Sequence, residues 1–163
     1  MKKLIIAFVA LLLSSGSLFS QYALPKGSAQ LNAGFGLEEY GLPIYIGFDY
    51  GVHKDISIGA EVSFRNYNQY GFKYNIIGIS GNFNYHLNYL LGLSRDWDIY
   101  AGVNLGYFYY NYPDDWNSSK SSPLGLRGQL GFRYYFTPKF GINLEFGGGN
   151  AFNGGKLGAT IKL

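Results

Sequence analysis

RGQLGFRYYFTPKFGINLEF, residues 127–146, consists of two alternating segments around a three-residue break. In the first, Gly128, Leu130, Phe132, Tyr134 and Phe136 share one face, and Arg127, Gln129, Gly131, Arg133 and Tyr135 share the other. In the second, Phe140, Ile142, Leu144 and Phe146 oppose Gly141, Asn143 and Glu145. Pro138 has no N–H to give to a ladder, so Thr137-Pro138-Lys139 reads as the turn. The stretch is a β-hairpin with one apolar face and one face of glycines, amides and charges. Which face meets water decides the fold.

The same pattern continues outward on both sides. Alternation predicts strands at 29–36, 42–50, 56–65, 77–87, 97–110 and 157–163, which with 127–136 and 140–146 make eight. In the third, Ile58, Ala60, Val62 and Phe64 oppose Ser57, Gly59, Glu61, Ser63 and Arg65. In the fifth, Ile99, Ala101, Val103 and Leu105 oppose Asp98, Tyr100, Gly102 and Asn104. After Pro25 no segment carries a helical period. Segments of about ten alternating residues between turn-rich breaks are the signature of a transmembrane β-barrel. The predicted fold is all-β, an eight-stranded antiparallel up-and-down transmembrane β-barrel.

A soluble barrel also alternates, so the composition of the two faces has to choose. The polar face is rich in Gly, Asn and Ser with few charges, which suits a narrow interior rather than a wetted surface. The other face carries Ile, Leu, Val and Phe in mid-strand. Tyr50, Tyr85, Trp97, Tyr107, Tyr109 and Tyr134 stand nearer its ends, as in the aromatic girdles of membrane barrels. Charged residues are 14% of the chain, against roughly 25% in a typical soluble domain. There is no Cys, so closure of the sheet has to supply what disulfides supply in other small exported proteins.

The N-terminus is read separately. Met1-Lys2-Lys3 is basic, residues 4–13 are an unbroken apolar run, and small residues follow to Ser20. That order is a secretory signal peptide over 1–20, with the barrel domain over 21–163. The run is too short for a membrane-spanning helix, which takes about 20 residues. Without Lys2 and Lys3 the 13 basic residues become 11 against 10 acidic ones, so nothing points to nucleic acid.

"RYYFTPKFGINLEF", "WDIYAGVNLGYFYY" and the terminal "LGATIKL" resemble the small outer-membrane β-barrel proteins of Gram-negative bacteria, the OmpA/OmpX-like and porin-family group. The resemblance covers essentially all of 21–163. It implies residence in the cell outer membrane among its lipids and lipopolysaccharide, and a monomer with both termini in the periplasm. Loops 37–41, 66–72, 111–123 and 149–155 would then face outside, and turns 51–55, 88–96 and 137–139 the periplasm. It also implies that the barrel-assembly machinery reads the last strand, 157–163. Leu163 departs from the terminal aromatic usual in the family.

The predicted inward set includes Glu61, Arg65, Asp98, Arg127, Arg133, Glu145 and Lys162. Eight strands leave an interior just wide enough to be filled by side chains, so these read as an ion-pair network closing the lumen. A polar pathway for a small solute is the alternative. His53 sits in a predicted turn, and His86 at a strand end, hydrogen-bonded inside. An envelope hydrolase needs a His beside a Ser and an acid. Ser80 is six residues from His86 on one strand, roughly 20 Å away, too far for proton transfer. Asp114, Asp115 and Trp116 are the candidate interaction residues of the longest loop. Neither a metal nor a cofactor is implied. The leading expectation is a non-enzymatic barrel acting in membrane integrity or surface interaction. A narrow uptake or binding barrel for a small molecule, apolar ones included, is second, and a lipid-modifying enzyme third.

Overall fold

In hydrocarbon a strand needs a neighbour on each side, because an unpaired backbone N–H or C=O there costs several kcal/mol. The computed structural model describes residues 24–37, 41–69, 72–111, 123–150 and 153–163, and meets that demand by closure. The strands are β1 (Ala29–Leu37), β2 (Ile44–His53), β3 (Ile56–Gln69), β4 (Phe72–His86), β5 (Trp97–Asn111), β6 (Leu124–Tyr135), β7 (Phe140–Gly149) and β8 (Gly154–Lys162). A single helical turn, α1 (Asn88–Leu91), lies between β4 and β5. Each strand pairs antiparallel with the next, and β8 returns to β1 through Gln30↔Lys162 and Ala33↔Ala159. The segment read as a signal peptide, 1–20, lies outside the described residues.

The two faces separate as their chemistry requires. Ile79 and Leu105, in mid-strand on the outer face, are 62% and 61% exposed. Gln30, Asp49, Ser57, Asp98 and Thr160, on the inner face, are at 0–1%. A soluble protein would have these reversed. With the apolar band outside and the polar groups inside, the barrel is built for lipid. Aromatic side chains form a row along part of one end: Trp97 and Tyr134 stand 4.9 Å apart between ring centres, Tyr134 and Phe136 5.2 Å, and Phe136 and Phe140 6.4 Å.

Several boundaries differ from the sequence reading. Residues 66–69 and 72, expected in a loop, are strand. Beyond Phe64, where its pairing with β2 ends, β3 continues beside β4 to Gln69. Asn66 faces Asn75 there, and its amide donates to the Asn75 oxygen at 2.7 Å. Asparagine reads as a turn former, but a paired Asn ladder satisfies its own side chains. β2 runs to His53 through an irregularity between Gly51 and His53, so the turn shrinks to Lys54-Asp55. β7 continues through Gly147-Gly148-Gly149, and β8 starts at Gly154 rather than 157. Those glycines, expected as a strand end entering a loop, all pair with β6, and at Gly147 the space beside the backbone is taken. A Cβ on Gly147 would meet Arg127 Nε at 2.6 Å, so the Arg127 side chain lies where a larger residue would stand.

Candidate functional site

The alternating pattern sends one side chain in two into the lumen, and register decides which of them meet. Near the β2–β3 and β6–β7 turns the centre is Arg133 on β6. Its Nη1 donates to Asp98 Oδ2 on β5 at 2.9 Å, and its Nη2 donates across the barrel to Asp49 Oδ2 on β2 at 2.9 Å. Gln30 and Asn32 on β1 donate to the same Asp49 oxygen at 3.1 and 2.9 Å. Tyr135 donates to Gln30 Oε1 at 2.9 Å, and Lys162 Nζ lies 3.6 Å above the Tyr135 ring. The Arg133 guanidinium stacks 4.1 Å above the Tyr100 ring.

A second layer lies towards the opposite end of the barrel. Tyr100 reaches over β6 to donate to Glu145 Oε2 on β7 at 2.9 Å. It has that path because Gly131 lies between them in register, and a Cβ on Gly131 would overlap the Tyr100 ring. Arg127 donates to Glu145 Oε1 at 2.5 Å. Lys156 Nζ on β8 stands 2.6 Å from Glu61 Oε1 and 3.5 Å from Glu145 Oε1. Asn143 donates to Tyr45 at 2.8 Å, and Gln129 to Asn84 at 2.8 Å. Above this layer is a cavity of about 20 Å³, bordered by Glu61, Ser63, Ser80, Asn104, Arg127 and Lys156, with room for about one water.

The structure thus places Asp98 and Arg133 in one layer and Glu61, Arg127 and Glu145 in the other. Arg65 follows Glu61 and Ser63 on the same strand face, one step past the end of the β2–β3 pairing. Asp114, Asp115 and Trp116 lie outside the described residues. Sequence reasoning left out Asp49 and Lys156 as site residues. Asp49 alternates with Gly47 and Tyr45, so its face was legible but its partner was not. Lys156 follows the Gly154-Gly155 pair, which had been read as loop.

One constellation was missed because the wrong serine was weighed. His86 Nδ1 is 2.7 Å from Asp98 Oδ1, and His86 Nε2 is 3.0 Å from Ser57 Oγ. Ser57 pairs with Asn84, and His86 with Tyr100, so both contacts are diagonals between adjacent strands. The connectivity is that of a serine hydrolase triad. Its surroundings are not: Ser57 is at 0% exposure, Arg133 holds the second Asp98 oxygen, and none of the three borders the cavity. A nucleophile needs an approach for its substrate. Ser80, weighed from the sequence, instead accepts from Asn104 at 3.0 Å. His53, in the exposed end of β2, accepts from the Asp55 N–H at 3.4 Å. Among the described residues, no group of three or more His, Cys, Asp or Glu is placed to hold a metal.

No curated protein sequence matches this chain. The attachment invasion locus protein Ail of Yersinia pestis, solved with the heparin analogue sucrose octasulfate, superposes with a TM-score of 0.56 at 12% identity, over 85% of this chain and 99% of that one. The N-terminal β-barrel domain of Pseudomonas aeruginosa OprF gives 0.53 at 17% identity, over 84% and 96%. A de novo designed transmembrane β-barrel gives 0.55 at 16% identity, over 85% and 97%. These likenesses are of fold. The family model described as "Outer membrane protein beta-barrel domain" matches residues 7–161. On that match, and on the closed inside-out barrel those residues form, the chain belongs to the outer membrane protein beta-barrel domain family and resides in the outer membrane.

Proposed function

We propose that this protein is a non-enzymatic, monomeric barrel with a filled lumen, serving membrane integrity or surface interaction through its outer loops. The observation that carries the reading is the pair of bridges across the lumen. Arg133 joins β6 to Asp49 of β2, and Lys156 joins β8 to Glu61 of β3, beside a cavity with room for about one water. A conduit would need a continuous path where these side chains stand. The polar interior supports a scaffold role, since a packed network holds strands in register without presenting a reactive group. The buried state of Ser57 supports the same reading over a lipid-modifying enzyme.

On this reading the outer face contacts lipid and lipopolysaccharide, and residues 157–163 are the segment the barrel-assembly machinery recognises. Recognition at the cell surface would fall to residues 111–123, with Asp114, Asp115 and Trp116. Planar-bilayer recording of the refolded protein is the test. Silence is expected, and steady unitary steps would turn the reading towards uptake. Sensitivity of a deletion strain to detergents and bulky antibiotics then separates the two roles. Rescue by a variant with 111–123 replaced by a Gly-Ser linker indicates membrane integrity. Loss of rescue indicates loop-borne recognition.

A further inference from the structure

The β4–β5 connection is longer than a periplasmic turn needs to be, and its surface is apolar. Tyr89, Leu90 and Leu91 of α1 are 68%, 65% and 55% exposed, three consecutive residues. The segment is held firmly. The Asn88 amide donates to the Trp97 carbonyl at 2.5 Å, and the Ile99 N–H donates to the Asn88 side chain at 3.1 Å. The Leu87 N–H bonds to the Ile99 carbonyl at 2.7 Å, and Gly92 closes the turn in the left-handed region at φ 60°. Three exposed apolar side chains on a rigid support are a built surface.

Two observations say what covers it. The first is continuity with the lipid-facing band. α1 sits between Tyr85, the last outward residue of β4, and Trp97, the first of β5, which joins the aromatic row through Tyr134, Phe136 and Phe140. The second is its lean. Lys54, in the neighbouring β2–β3 turn, lies 4.2 Å above the Tyr89 ring and 3.7 Å from Asp55 Oδ2. The connection therefore runs along the rim of the barrel. An apolar foot beside an aromatic row, with an ammonium at its edge, matches the boundary between acyl chains and phosphate headgroups.

We infer that residues 87–92 form an interfacial foot whose Tyr89, Leu90 and Leu91 enter the headgroup–acyl boundary of the adjacent phospholipid leaflet, with Lys54 at the phosphate level. The inference rests on the barrel spanning the bilayer, and the experiment separates the two. The protein is placed in phospholipid nanodiscs with methyl-labelled leucine. Relaxation enhancement is measured from a phospholipid bearing a nitroxide near the top of its chain, and from a water-soluble gadolinium chelate. Leu126, in the lipid-facing band of β6, reports the barrel itself.

The expected result is several-fold stronger broadening of the Leu90 and Leu91 methyls by the lipid nitroxide than by the chelate, as for Leu126. If Leu126 follows the lipid probe while Leu90 and Leu91 follow the chelate, the foot is wrong and the barrel placement stands. A surface reserved for a periplasmic protein gives that same outcome. If Leu126 also follows the chelate, both are wrong.

Discussion

Arg133 is shared by two buried carboxylates, and its removal is a severe test of the interior network. Its two carboxylate partners, Asp49 and Asp98, have side chains 2% and 0% exposed. Arg133→Met deletes the cation but keeps most of the stem's volume, so little cavity is added. Removing one partner of a buried pair costs about 3–5 kcal/mol. Two carboxylates lose a partner here, yet neither is left bare. Asp98 keeps His86 at 2.7 Å, and Asp49 keeps Gln30 and Asn32 at 3.1 and 2.9 Å. Those donors hold the electrostatic loss near that of a single pair. The lost stack on Tyr100 adds about 1 kcal/mol. The expected destabilisation is therefore about 4–6 kcal/mol.

Equilibrium urea unfolding in phospholipid vesicles, followed by tryptophan fluorescence and by the heat-shifted band in electrophoresis, reads it. A companion variant, Arg133→Met with Asp49→Asn and Asp98→Asn, removes all three charges and should recover most of the loss. A single variant within about 1 kcal/mol of the parent, the worth of one ordinary hydrogen bond, refutes the argument. So does a triple variant far less stable than the single one, because the damage would then lie in shape and not in stranded charge.

Three further outcomes are expected. Glu145→Ala takes the carboxylate from Arg127, while Lys156 keeps Glu61, and should lower the thermal midpoint of the folded barrel without producing ion currents; unchanged stability with new conductance would contradict the filled lumen. Gly131→Ala sets a methyl into the Tyr100 ring and should cost about 1–3 kcal/mol in the same unfolding assay, with Tyr100→Phe giving no relief because the ring remains. Ile79→Arg places a charge on the outer face at mid-strand and should cost about 2–4 kcal/mol in vesicles, and a null effect there would argue against lipid on that face.

Much of the fold was legible in the order of residue types. Strand period is two, so the faces of 127–136 and 140–146 could be separated by counting. The inward placement of Arg127, Arg133 and Glu145 needed nothing more. The way round followed from the contrast between Gly, Asn and Ser on one face and Ile, Leu and Phe on the other. Boundaries were less legible where glycine and asparagine serve two purposes. Gly147-Gly148-Gly149 is strand through its pairing with β6, with the Arg127 side chain filling the space at Gly147, and the Asn66–Asn75 rung becomes visible only once the two strands are paired.

The partners were not legible at all. Ser57 and Ser80 are both inward residues near a histidine in sequence or in space, and only register tells that Ser57 is the one beside His86. Arg133 and Asp49 meet across the lumen from β6 and β2, and no local pattern brings them together. Sequence by itself determined the class of structure and the side of the sheet each residue takes, because alternation is a property of one strand and needs no knowledge of another. Which charge meets which was decided only when closure of eight strands set the register around the ring, because a contact across the barrel depends on the offsets of every pair between.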